Sequence, residues 1–236
     1  MTADPPPQSP VWPPAPRWDA VDGGLPDALV DPQAYRSQRG LRMALCFVIV
    51  CLLMVDIFGM IAYASHWTQG PEIEQGIGMS RLFVVPLAIA TWVLILIWLG
   101  RAYRNLGALG TRPRHTSAWA VGGCFIPVVN LYRPYAVLQE MWRGAAPLGQ
   151  EPSPSGSKLI RLMWGVWLLE VALSLAVMAT QYRLAWTAPV FIALFFAQYA
   201  AAVTQHVLAF WVILEIDGRQ ETRRAQILAA RSQTRV

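Results

Sequence analysis

Four apolar runs, Met43 to Ala64, Leu82 to Gly100, Leu159 to Thr180 and Pro189 to Leu214, decide what this chain can fold into. Each is about 20 residues, the length at which an α-helix crosses roughly 30 Å of hydrocarbon. The runs are continuous, whereas strands of a membrane barrel would alternate apolar and polar side chains over short segments. Composition agrees: 55% of the 236 residues are hydrophobic and 14% charged, against about 25% charged in soluble domains. The expected fold class is all-α, an integral membrane protein with four transmembrane helices.

The first run follows Arg36, Arg39 and Arg42 and ends on Ala62-Tyr63-Ala64, a pattern shared with secretory leaders. It is too long and starts too late in the chain for a leader's apolar region of about 7 to 15 residues, so it reads as a retained anchor. Cys46, Cys51 and Cys124 lie in apolar surroundings at no metal or redox spacing and read as packing residues.

Arginine and lysine set the orientation. The link after the first run has no basic residue before Arg81, and the link before the fourth has only Arg183. The central loop holds Arg101, Arg104, Arg112, Arg114, Arg133, Arg143 and Lys158, and the C-terminal tail Arg219, Arg223, Arg224, Arg231 and Arg235. The positive-inside rule then places both termini and the central loop in the cytoplasm, which four spans satisfy and five do not. Ala118 to Tyr132 would reach only about 22 Å as a helix and contains Gly122, Gly123, Pro127 and Asn130. It is expected to be a re-entrant or interfacial segment on the cytoplasmic side, interrupted at Pro127. Pro134 suits the first turn of a following helix to about Arg143. The apolar face of that helix, with Tyr135, Leu138 and Trp142, is suited to the headgroup layer.

Three parts follow. Residues 1–31 form a disordered or polyproline tail, with seven Pro among the twelve residues from Pro5 to Pro16. Asp31-Pro32 resembles a helix cap and first turn, so the first helix is expected to begin there. Residues 32–218 form the four-span membrane domain, including a 101–158 loop. Residues 219–236 form a basic tail that continues the last span as a charged helix, with Asp217, Gln220, Glu221 and Arg224 on a solvated face.

Two groups of residues could carry function. Inside the spans lie Asp56, Glu170, Gln198, Gln205 and His206, read either as a proton or ion relay or as interhelical hydrogen bonding. One central Asp costs about 2.5 to 3.5 kcal/mol on insertion scales, which the apolar residues of the first span outweigh. His206 has no second His or Cys at ligand spacing, so no metal site is expected. In the loop, Arg101, Arg104 and Asn105 recur at three and four residues just beyond the second span, a phosphate-binding spacing. Asn130, Arg133 and Glu140 follow, with Glu140 placed to orient an arginine. A positive-inside signal alone requires neither Asn nor Glu.

The run Arg101-Ala-Tyr-Arg104-Asn105-Leu, with Trp119-Ala120, Phe125-Ile-Pro127-Val-Val-Asn130-Leu-Tyr-Arg-Pro134-Tyr and Glu140-Met-Trp142, resembles the bacterial membrane family known as domain of unknown function 4328. The resemblance covers roughly Met43 to Gly218. Arg101, Asn105, Pro127, Asn130, Pro134 and Glu140 match the family pattern. It implies a bacterial multi-span membrane protein with this loop as its hallmark, and supplies no activity; the expected location is the bacterial inner membrane.

Neither a Gly-rich phosphate loop nor a nucleophile elbow nor a paired-His zinc motif occurs. The expectation is a non-enzymatic membrane component without cofactor or nucleic-acid partner. It would bind anionic lipid headgroups or a partner protein through Arg101, Arg104, Asn105, Asn130, Arg133 and Glu140. The alternative is a proton-linked transporter or channel subunit using Asp56 and Glu170.

Overall fold

The computed structural model describes residues 31, 33–66, 71–150, 153, 155–181 and 188–234, which contain helices and turns but no strand. In chain order the helices are α1 (Arg39–His66), α2 (Pro71–Ala108), α3 (Ser117–Gly122), α4 (Pro127–Asn130), α5 (Arg133–Gly144), α6 (Lys158–Gln181) and α7 (Pro189–Thr234). The helices α1, α2, α6 and α7 are each long and apolar enough to cross a membrane, compatible with a multi-pass membrane protein. Their outward faces are apolar: only 6% of the most hydrophobic stretch of α6 is buried, and Phe47, Phe58, Trp92, Leu169 and Met178 are exposed. Contiguous apolar surface on this scale is foreign to water-soluble monomers.

Helix α7 packs against α6 on one side and α1 on the other, and α1 packs against α2. One end of the bundle is closed by α5, whose Val137, Leu138 and Met141 meet Tyr103 and Leu106 of α2, Ile160 of α6 and Ile216 of α7. At the opposite end an aromatic cluster joins α1 to α7, with the Tyr63 and Phe195 ring centroids 4.1 Å apart.

The first helix begins at Arg39, not at Asp31-Pro32 as the cap-like pair suggests. Asp31 instead closes a local turn, accepting from the backbone N–H of Gln33 and Ala34. The reason is tertiary. Asn105 Oδ1 accepts from the Arg36 N–H at 3.1 Å and its Nδ2 donates to the Arg36 carbonyl at 3.0 Å, occupying both groups that a helix would need. Next to it the Tyr35 ring is buried beneath Arg224, whose guanidinium carbon lies 4.7 Å from the ring centroid. Burial pushes the Tyr35 phenol up to about 12, helped by the charges of Glu221 and Asp217. The Pro-rich leader through residue 30 lies outside the described residues.

Gly110, at φ 77°, ends α2. The Thr111 N–H reaches the Leu106 carbonyl and the Gly110 N–H the Gly107 carbonyl, the Schellman pattern that only a left-handed residue completes. After the turn, the Thr116 hydroxyl caps α3 by accepting from the Trp119 N–H. A 3-10 turn at Gly123–Phe125 and an extended Ile126 then break the helix before Pro127 opens α4. The segment 118–132 is thus three short pieces lying against α2 and α5.

Helix α5 does start at Arg133-Pro134, but the partner of its apolar face differs from the expectation of a headgroup-facing surface. Leu138 is buried in the bundle, Tyr135 and Trp142 pack on the same core, and Tyr135 lies 6.2 Å from the ring of Trp164 on α6. A second correction concerns α7, where Asp217 and Gln220 were expected on a solvated face. Both are buried, at 3% and 0% exposure. Trp98 Nε1 donates to Asp217 at 3.0 Å, and Gln220 Nε2 donates to the Ala102 carbonyl at 2.9 Å. Regular spacing along a helix reports neighbours on that helix, not the element packed over them.

Candidate functional site

Glu140 organises the basic end. Its carboxylate is buried on the inner side of α5, where Oε2 accepts from the Tyr103 hydroxyl at 3.0 Å and Oε1 from the Arg114 backbone N–H at 2.6 Å. The Tyr103 hydroxyl in turn accepts from the His115 N–H. One carboxylate and one phenol therefore tie the loop after α2 to both α2 and α5. Glu140 positions the backbone that bears Arg114 and His115; the expected partner for it was an arginine side chain.

These contacts frame a cavity of about 260 Å³ lined by Arg114, His115, Tyr132, Arg133, Tyr135, Gln139, Glu140 and Arg143, among others. Its chemistry is cationic. Three guanidinium groups and an imidazole face a single carboxylate, whose oxygens already accept from Tyr103 and the Arg114 N–H. The Arg133 stem lies over Gly123, where an added Cβ would stand 2.7 Å from Arg133 Cγ. Only glycine leaves the stem in place. Its guanidinium carbon lies 5.3 Å from the centroid of Trp119, a cation–π distance. Arg133 Nε and Nη2 are buried and have no hydrogen-bond partner among the described residues, an arrangement that costs free energy unless something else accepts from them.

On the cavity's α3–α4 side the chain presents Trp119, Phe125, Ile126, Val128, Leu131 and Tyr132, all exposed, with Phe125 and Val128 at 70% and 73%. A cationic cavity and an apolar ledge are thus contiguous in one segment.

Other expected ligands lie elsewhere. Arg101 is half-buried outside the cavity lining, and Arg104 is exposed, donating from Nε to the Gly100 carbonyl and edging a shallow groove between α2 and α3. Asn105, one residue on and about 100° around the helix, is buried and holds Arg36 and Gln220. Asn130 is half-buried at the end of α4, without a side-chain hydrogen bond among the described residues. Of the six expected loop residues, Arg133 and Glu140 share the cavity.

Arg114, His115 and Arg143 line the cavity without having been singled out as candidates. Arg143 could have been found, since Ala136, Gln139, Glu140 and Arg143 recur at three and four residues on one face of α5. No local pattern marks Arg114 and His115, which reach the cavity through the tertiary bonds of Glu140 and Tyr103.

Gln139 repeats the device used by Asn105. Its Oε1 accepts from the Ser157 N–H at 2.9 Å and its Nε2 donates to the Ser157 carbonyl at 3.0 Å. Ser157 in turn caps α6 through the Ile160 N–H. Two buried amides thus pin the segments that lead into α1 and α6. Arg223 completes the clasp from α7, donating to the Leu109 and Ala146 carbonyls at 3.0 and 2.6 Å.

Within the spans, Asp56 Oδ2 stands 3.0 Å from His206 Nδ1, while Gln198 Nε2 donates to the Ser174 hydroxyl at 3.1 Å, joining α7 to α6. Among the described residues no group of three or more His, Cys, Asp or Glu side chains is arranged to hold a metal ion.

The fold and site define an all-helical chain with four helices of membrane-crossing length and a cationic cavity at one end of the bundle. Residues 71–218, more than half of the chain, match the family described as Domain of unknown function (DUF4328), and the chain belongs to that family. The match begins at α2, so α1 lies outside it although the resemblance seen in the sequence extended to Met43. No curated protein and no solved structure matches the chain.

Proposed function

We propose that this chain is a non-enzymatic multi-pass protein of the bacterial inner membrane, with both termini and the α5 end cytoplasmic, that binds the phosphate of an anionic lipid in the cavity of Arg114, Arg133 and Arg143. The observation that carries this is Arg133, whose buried Nε and Nη2 have no hydrogen-bond partner among the described residues. Two oxygens of a tetrahedral phosphate can accept together from the planar guanidinium fork. The exposed Phe125, Val128 and Leu131 favour a lipid over a soluble anion, because apolar side chains beside the cavity enter the headgroup and acyl boundary at no cost in exposed surface. A protein partner bearing an acidic side chain is the other occupant compatible with this charge.

The test is retention of phosphatidylglycerol or cardiolipin by the purified protein in mixed nanodiscs, read by native mass spectrometry. Joint replacement of Arg114, Arg133 and Arg143 by Gln is expected to lower anionic-lipid retention at least tenfold relative to phosphatidylcholine, since two lost charge-assisted bonds of about 1.5 kcal/mol each exceed that factor. Retention unchanged in this variant, or lost instead in Arg101→Gln with Arg104→Gln, would overturn the assignment to the cavity.

A second reading, a proton-linked transporter or channel subunit, is favoured by the Asp56–His206 contact between two spans. It predicts proton flux into proteoliposomes that falls to background in Asp56→Asn and in Glu170→Gln. Flux indifferent to both substitutions removes it.

A further inference from the structure

The pair Asp56–His206 stands within the apolar runs of α1 and α7. Asp56 lies about 20 Å along the first apolar run from Met43, and His206 about 12 Å along the last from Leu214. The 3.0 Å approach of Asp56 Oδ2 to His206 Nδ1 bridges α1 and α7, with about a fifth of each side chain still exposed. Glu170 is half-buried on α6, the helix packed against the other side of α7, about 17 Å along its run from Leu159. Three consecutive neighbours in the bundle therefore each contribute one ionisable group.

What surrounds them limits the possible partners. Between Val84 and Gly100 helix α2 has no titratable side chain, and between Leu162 and Thr180 helix α6 has only Glu170. The remaining titratable groups on the facing stretches are the thiols of Cys46 and Cys51 on α1 and the phenols of Tyr63 on α1 and Tyr199 on α7. The nearest basic residues along the same helices, Arg42 and Arg161, are about 21 and 13 Å away from Asp56 and Glu170 respectively. Among the described side chains of α1, α6 and α7, no guanidinium is within pairing reach along the helix.

Two carboxyls and one imidazole cannot all be charged in hydrocarbon without leaving a net charge there, at a cost of at least about 2.5 kcal/mol. Net neutrality requires two protons added to two carboxylates and a neutral imidazole, however the three groups share them. We propose that Asp56, His206 and Glu170 form an intramembrane proton-binding site that takes up or releases single protons between α1, α6 and α7. This goes beyond transport, because a site that binds a proton needs no path to both surfaces. A purely structural network would look different: Gln198 and Ser174, which join α7 to α6 at another level, are uncharged and share a hydrogen bond with no titratable proton. Binding here changes the net charge of the layer by one unit, so the grip of α1 and α6 on α7 depends on the proton.

The experiment is infrared difference spectroscopy of the full chain in lipid nanodiscs, titrated across the neutral range, with the carboxylic C=O band as readout. The expected result is a protonated-carboxyl band that persists at neutral pH, is lost in Glu170→Gln or Asp56→Asn, and shifts its midpoint in His206→Gln. Asp56→Glu keeps a carboxyl in place and is expected to retain the band. Helicity by circular dichroism accompanies each variant, so that loss of the band in a folded protein is separable from loss of the fold. Spectra that are the same in wild type, Asp56→Asn and Glu170→Gln, or a midpoint that His206→Gln leaves in place, would overturn the proposal. A band present without proton flux supports the binding site and rejects only the transporter reading.

Discussion

Replacing Glu140 by alanine is expected to produce the largest loss of stability among single substitutions at the basic end. The change removes the acceptor of two buried hydrogen bonds, from the Tyr103 hydroxyl and the Arg114 N–H. Each donor left without a partner costs about 1 to 3 kcal/mol. The loss falls on the loop first, because the Glu140 carboxylate accepts directly from the Arg114 backbone N–H. Trypsin is a suitable probe: the bond after Arg114 is cleavable, whereas that after Arg112 is followed by Pro113 and resists. Cleavage at Arg114 well below the thermal midpoint, together with a lowered midpoint in detergent, is the expected outcome. Glu140→Gln keeps one carbonyl oxygen and should lose roughly half as much. A Glu140→Ala protein as resistant to trypsin as the parent would show that the loop is held by other contacts.

Asn105→Ala is the second. Three hydrogen bonds disappear, two to the backbone of Arg36 and one to Gln220, and a cost of about 2 to 4 kcal/mol follows, since part of the Arg36 backbone can turn to solvent. The effect has an address. Amide exchange at residues 35 to 38 should accelerate before any change in the spans, and the buried Tyr35 phenol should become titratable at a lower pH as it is exposed. Unchanged exchange at these amides would mean that Tyr35 and Gln38 hold the segment without Asn105.

Much of the fold was legible because the dominant constraint is length. A run of about 20 apolar residues has one structural solution in hydrocarbon, and no tertiary detail alters it. Pro127 and Pro134 were equally legible, since a missing N–H and a fixed φ act locally. The errors share a cause. Asp31-Pro32 carries a local cap pattern, yet Asn105, 69 residues ahead of Arg36, claims the backbone that the helix would have used. The amphipathic pattern of α5 identified an apolar face correctly and said nothing of whether lipid or protein covers it. At the site, Arg133 and Glu140 could be picked out by their type and position, but the separation of Arg104 from Asn105 depends on how α2 is rotated in the bundle. Arg114 and His115 enter the cavity only because a carboxylate on another helix holds their backbone.

Helix α7 is unbroken for 46 residues, and that continuity makes it a rigid beam. His206 lies in its membrane-length portion, and Arg223, which clamps the loops after α2 and α5, stands seventeen residues further along, about 25 Å. A tilt of about 5° at His206 would carry Arg223 sideways by roughly 2 Å, more than its hydrogen bonds to the Leu109 and Ala146 carbonyls tolerate. Motion at the level of the ionisable trio therefore cannot stay local: the beam must flex, or the clamp over the basic end must let go.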